Sequence, residues 1–246
     1  MSESDGVKDS IYADKQGLVQ GFRFDDKVTR VFADMIQRSV PGYGLTLQMI
    51  AVIAAQYAQK DSVLYDLGCS LGAATLALRH GIQAEDCRII GVDNSEAMLD
   101  TCLGYVKADD GDVPVELKYA DIQDVVIENA SVVVLNFTLQ FIPLQEREAL
   151  LNRIFQGLRA GGVLILSEKV SFDDPKKNER QTQLHEVFKR SQGYSELEVS
   201  QKRQALENVL IPESLAEHHA RLKQAGFADS QTWFQCFNFA SILAFK

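Results

Sequence analysis

From residue 63 onward, short β-rich runs alternate with helical stretches, and this alternation restricts the fold more than any other feature of the sequence. Val63–Leu67, Cys87–Val92, Val115–Tyr119, Ser131–Asn136 and Val163–Ser167 read as strands. Most are nearly continuous apolar runs, as strands covered on both faces must be. Between them, Leu71–His80, Ser95–Tyr105 and the stretch carrying Leu150, Leu151, Ile154, Phe155 and Leu158 have helical spacing, the last expected to stop at Ala160-Gly161-Gly162. A helix over Ser214–Ala225, closed by Gly226, precedes two more β-rich runs, Gln231–Phe237 and Ala240–Phe245. The pattern predicts a doubly wound α/β fold of the Rossmann-like kind, with a mostly parallel seven-stranded sheet and a C-terminal antiparallel hairpin.

Two helices come first. Val28, Val31, Phe32, Met35 and Ile36 share one face of an amphipathic helix ending near Arg38, Pro41-Gly42-Tyr43 breaks it, and Leu45 to Gln59 forms the second. Ser171 to Ile211 is too long for a simple connection and reads as a helical insertion that caps the site. Residues 1–22 lack periodicity and are expected to be a flexible tail, leaving 23–246 as one domain.

Composition excludes some functions. With 25 Lys and Arg against 34 Asp and Glu, the formal charge is -9, the wrong balance for gripping nucleic acid by phosphate neutralisation. The 4 cysteines form no C-x-x-C pair, and no histidine stands at metal-ligand spacing, so reduced thiols and no metal are expected. The N-terminus lacks an apolar signal core, and the longest mostly apolar run, Met49–Ala55, is too short for a bilayer. A cytoplasmic protein without membrane contact is expected.

The segment Asp66-Leu67-Gly68-Cys69-Ser70-Leu71-Gly72 leaves the first strand and opens a helix. Gly68 and Gly72 are expected to let backbone approach a ligand, and the free N–H groups of the helix start suit a carboxylate. Asp93, followed by Asn94, ends the second strand, where a carboxylate accepts both ribose hydroxyls. Asp121 follows the third strand, placed to accept adenine amino hydrogens, with Ile122 beside it for the ring. Each acid alone reads equally as a helix cap or a solvated loop residue. Three at successive strand ends point to a nucleoside. The glycines do not fit G-x-G-x-x-G, and Asp66 would repel a pyrophosphate but can hold an amino group, which favours S-adenosylmethionine over NAD.

In that loop, Asp93 and Asp121, the sequence resembles the class I S-adenosylmethionine-dependent methyltransferases. Four further stretches, 34–43 (DMIQRSVPGY), 134–141 (VLNFTLQF), 193–203 (GYSELEVSQKR) and 233–239 (WFQCFNF), resemble the carboxy-S-adenosyl-L-methionine synthase family, and the likeness runs from about Phe24 to Lys246. The resemblance implies that prephenate donates a carboxyl group to the methyl carbon of S-adenosylmethionine, leaving phenylpyruvate. The product would serve a separate enzyme that makes 5-oxyacetyl uridine at the tRNA wobble position. It further implies a homodimer, with cofactor contacts at Tyr43, Gly68, Cys69, Ser70, Asp93, Asn94, Asp121, Ile122, Asn136 and Arg203. Leu206, Val209, Leu210 and Ile211 are the expected contact surface.

A new carboxylate needs a cation in a water-poor pocket, and Arg203 is the catalytic candidate. It reads otherwise as an exposed helix residue paired with Glu207. Asn136 is expected beside the methyl group and Tyr43 at the methionine end, each reading equally as a turn asparagine or a core aromatic. His80, His185, His218 and His219 are expected to be solvated, which leaves the substrate's own hydroxyl oxygen to take the methyl proton. An ordinary small-molecule methyltransferase and a non-catalytic cofactor-binding subunit remain as alternatives.

Overall fold

The computed structural model describes residues 7–15, 25–207 and 209–246. Val63–Leu67 (β1) is buried along its whole length, because strands flank it on both sides. Arg88–Asp93 (β2) and Ala130–Asn136 (β4) run parallel to it. Val115–Tyr119 (β3) extends the sheet beyond β2, and Leu158–Ser171 (β5) beyond β4. The expected hairpin is Asp229–Cys236 (β7) with Phe239–Phe245 (β8), and β8 lies antiparallel between β7 and β5. The order β3-β2-β1-β4-β5-β8-β7 gives the seven strands expected, and a two-residue strand, Glu213–Ser214 (β6), adds an eighth against the end of β5. Strand order reverses direction between β1 and β4, which opens a crevice at their C-terminal ends.

Alternate residues of each strand face opposite sides. On one side Leu64, Ile89, Val132 and Val134 pack under Tyr43–Tyr57 (α2) and Ala73–Gly81 (α3), through Ile50, Ala54, Ala74 and Leu78. On the other, Leu67, Val92, Val133 and Leu135 meet Leu150, Leu151 and Ile154 of Leu144–Gly157 (α5) and Leu222 of Leu215–Gln224 (α8). Full burial of each such side chain contributes about 1.5–3 kcal/mol. Asp26–Ser39 (α1) begins where the Asp25 carboxylate accepts the Lys27 and Val28 N–H groups, and its Val28, Val31 and Met35 pack on Met98 of Glu96–Ala108 (α4).

Two expectations need correction. The helix α5 ends at Gly157, and Leu158 already pairs with Ala130 as part of β5. The glycines that follow bend the strand's entry instead of stopping a helix: Gly161 has φ 75° and its N–H donates to Lys246 O at 3.0 Å. The insertion is helical as expected, forming Pro175–Ser191 (α6) and Glu196–Leu206 (α7), the latter started by a Ser195/Glu198 capping box. Residues 7–15, expected in a mobile tail, are packed. Asp9 is 1% exposed and accepts the Tyr194 hydroxyl at 2.6 Å, while Gln201 Nε2 donates to Tyr12 O at 2.9 Å. The rest of the expected tail, 1–6 and 16–22, lies outside the described residues.

Candidate functional site

A cavity of about 1020 Å³ opens at the ends of β1, β2 and β4, at the upper limit for a single small-molecule site. Every residue expected at the cofactor lines it except Asp121. The loop after β1 turns back so that Gly68 and Cys69 donate to Val92 O at 2.8 and 2.9 Å. Gly68, Ser70 and Gly72 have φ of 81°, 50° and 84°. For Ser70 that left-handed conformation costs on the order of 1–2 kcal/mol. Asp93 Oδ2 holds it by accepting the Ser70 N–H at 2.9 Å. A Cβ on Gly68 would stand 2.4 Å from Thr138 Cγ2, and one on Gly72 2.5 Å from Cys102 Sγ. These glycines therefore admit neighbouring protein as well, and Gly68 also lines the cavity.

Asp93 Oδ1 accepts the Ser95 N–H at 2.9 Å, so each oxygen keeps a lone pair for hydroxyl donors. Burial raises its pKa, against the pull of those N–H groups. Asp121 is exposed and its Oδ1 accepts from Asn94 Nδ2 at 2.7 Å. It orients the Asn94 amide and does not itself reach the cavity, while Ile122 beside it is buried on the wall.

Two orphaned acceptors stand on residues that line the cavity. Asp66 is 1% exposed; Oδ2 accepts the Thr75 hydroxyl at 2.6 Å, and Oδ1 has no partner among the described residues. Burial lifts its pKa to about 6, opposed by the Thr75 hydrogen bond and helped by Asp93. Asn136 Oδ1, on the neighbouring strand, is likewise buried without a partner. Leaving such groups unpaired costs about 1–3 kcal/mol each, and an ammonium group carries donors of the kind that each lacks. Tyr43 is buried nearby with its ring centroid 6.3 Å from that of Phe137, and burial raises its pKa.

A group of cations was not anticipated. Lys169 on β5, Lys189 on α6, and Lys202 and Arg203 on α7 all line the cavity. Lys202 Nζ donates to Ser39 Oγ at 2.9 Å and lies 3.5 Å from Asp9 Oδ2. Arg203, expected in a water-poor pocket, has a side chain 67% exposed and bonds Glu186 at 3.1 Å, not Glu207. Desolvation instead falls on the lysines, lowering Lys169 and bringing Lys189 and Lys202 to about 8. His185 and His218, expected in solvent, are 7% and 1% exposed. His185 Nε2 donates to Ser39 O at 2.8 Å, and burial followed by the Lys189 charge takes its pKa to about 3. One signal was available: Thr182, His185, Glu186 and Lys189 all line the cavity and form a polar stripe at helical period along α6. Leu206, Val209 and Leu210, expected to meet a second copy, line the cavity as well.

A methyltransferase domain model matches residues 64–162. Human N-acetylserotonin methyltransferase, solved with S-adenosylmethionine, aligns with TM-score 0.63 at 17% identity over 90% of this chain and 55% of its own. The carboxy-S-adenosyl-L-methionine synthase of Trichlorobacter lovleyi is 57% identical over 97% of this chain and 98% of its own length. That of Geobacter metallireducens is 59% identical with the same coverage. The chain belongs to the carboxy-S-adenosyl-L-methionine synthase family. Membership makes it a transferase built on the S-adenosylmethionine-dependent methyltransferase fold. Among the described residues no helix is long and apolar enough to cross a membrane.

Proposed function

We propose that this chain is a carboxy-S-adenosyl-L-methionine synthase, which moves a carboxyl group from prephenate to the methyl carbon of S-adenosylmethionine and releases phenylpyruvate. The observation that carries the cofactor is the pair of unpartnered acceptors Asp66 Oδ1 and Asn136 Oδ1 on two residues that line one cavity, a fit for the methionine ammonium. Asp93 takes the ribose hydroxyls and Ile122 the adenine face. S-adenosylmethionine supplies a methyl carbon activated by the adjacent sulfonium. In the overall exchange that carbon gives up a proton and gains carbon dioxide, while prephenate gives up the same carbon dioxide and its hydroxyl, which leaves with the proton as water. His185, with a pKa of about 3, is too weak a base for this proton, and Lys189 and Lys202, at about 8, are mostly protonated at neutral pH. The donor's hydroxyl oxygen is the acceptor in this reading. Arg203, at the cavity wall, holds the new carboxylate. The product goes to a separate enzyme that completes 5-oxyacetyl uridine in tRNA, and the working form is a homodimer, which sedimentation tests.

Mass spectrometry of the protein incubated with S-adenosylmethionine and prephenate decides the reaction. Cofactor that has gained a carboxyl is the expected product. S-adenosylhomocysteine with a methylated acceptor would make it an ordinary methyltransferase, and binding without turnover a cofactor-holding subunit. Arg203→Leu is expected to leave S-adenosylmethionine affinity within about twofold and to weaken the carboxylated product about tenfold or more. Equal loss for both ligands in a calorimetric titration would remove Arg203 from this role.

A further inference from the structure

One wall of the cavity carries more positive charge than the fold neutralises. Of its four cations, Lys202 is paired with Asp9 and Arg203 with Glu186. Lys169 and Lys189 form no ion pair, and their ammonium groups make no hydrogen bond, among the described residues. Lys189 is 7% exposed. Removing an ammonium from water without a counter-charge is costly. Here Lys189 is repelled by Lys169, Lys202 and Arg203, and Lys169 by Arg203, while Glu186 attracts both. Around them Ile36, Val40 and Phe239 give the cavity an apolar side. A wall of this kind fits an organic anion: a carboxylate at the ammonium groups and a hydrocarbon ring against the apolar side chains.

We propose that Lys169 and Lys189 form a carboxylate subsite for the oxo-acid end of the carboxyl donor, the end that stays on its product. The assignment rests on the function proposed above, and the chemistry selects which carboxylate it is. A carboxyl group that departs as carbon dioxide loses its negative charge on the way to the transition state, so two ammonium groups gripping it would stabilise the ground state and slow the reaction. The retained carboxylate keeps its charge throughout and can be held without that penalty. The lysines then fix the donor by its far end, and Arg203 is left for the carboxylate that forms.

Calorimetric titration with phenylpyruvate, which carries only the retained carboxylate, tests this without turnover. Wild-type protein is expected to bind it. Lys169→Met and Lys189→Met should each weaken it about tenfold or more, with S-adenosylhomocysteine affinity changed less than about twofold and the Arg variants recovering most of the loss. With prephenate, the Met variants should raise KM far more than they lower kcat. No binding to wild type, or unchanged affinity in both Met variants, overturns the subsite. Should a Met variant fail to fold, wild-type protein that binds the uncharged methyl ester of phenylpyruvate as tightly as the acid overturns it equally. Failure of the proposed function reads differently: wild type would make no carboxylated cofactor, while the loss of phenylpyruvate binding in the Met variants would still support an oxo-acid subsite.

Discussion

Asp66 is a carboxylate that burial has brought to the edge of neutrality, and it lines the cavity with one oxygen unpartnered among the described residues. An ammonium ligand favours its ionised form, so ligand affinity and the ionisation of Asp66 are linked. With a folded-state pKa of about 6, the group is charged at neutral pH and takes a proton as the solution is acidified through that value. S-adenosylhomocysteine affinity should therefore be level above about pH 7 and fall below about pH 6, by at most about tenfold per pH unit. Asp66→Asn keeps the shape and removes the titration. Calorimetry at several pH values should find the variant weaker at neutral pH and flat across the acid range; a variant with the wild-type slope would move the dependence to Asp93, the other buried carboxylate on this wall.

At the scale of elements, the cavity depends on how the segment after β4 is held. Glu168 on β5 accepts the N–H groups of Leu139 and Gln140 at 3.0 and 2.8 Å, capping the short turn that follows Asn136. Arg147 of α5, fully buried, donates to the carbonyls of Gln140, Ile142 and Ile211 and to Glu213, which also takes Arg221. One guanidinium thus ties the 140–142 turn to the end of the insertion. Arg147→Met would leave Glu213 to Arg221 alone and take the donor from the carbonyls of Gln140, Ile142 and Ile211, at a cost of about 3–5 kcal/mol. A lowered urea midpoint with an unchanged m-value should report it; a shift under about 1 kcal/mol would show that Arg221 alone satisfies Glu213. None of this network was legible in the sequence, since residues 147, 168, 213 and 221 come from four different elements. The strands were legible for the opposite reason. β1 carries its burial signal within five residues, every one of them buried. The start of β5 was misread because Gly161 and Gly162 look like a helix stop when the pairing of Leu158 with Ala130 is not in view.

For the whole molecule the same division holds between what is local and what assembles. The glycine loop and Asp93 sit within one strand-turn-helix unit and its neighbour, and sequence spacing found them. The lysine wall requires β5, α6 and α7 to converge, and in a chain of formal charge -9 scattered lysines give no hint of it. Buried histidines escaped notice for the same reason, and they govern how stability responds to acid. His218 is 1% exposed with neither ring nitrogen bonded among the described residues, and burial, the largest cause, takes its pKa to about 4. A base whose folded pKa lies below its unfolded value is protonated first in the unfolded chain. As pH falls from about 6.5 toward about 4, the unfolded state gains a proton that the folded state refuses, and stability drops by up to about 1.4 kcal/mol per pH unit from this group. Asp66 and Glu168, both raised by burial, work in the opposite sense over part of that range, so the wild-type curve alone does not isolate the histidine. His218→Phe does, because it keeps an aromatic ring of similar size and removes two unpaired polar atoms. The variant should be no less stable than wild type near pH 7, and the difference in its favour should widen as the two are unfolded with urea at successively lower pH down to about 4. Parallel loss of stability in the two proteins would mean that the His218 ring is already charged, or wet, in the folded state.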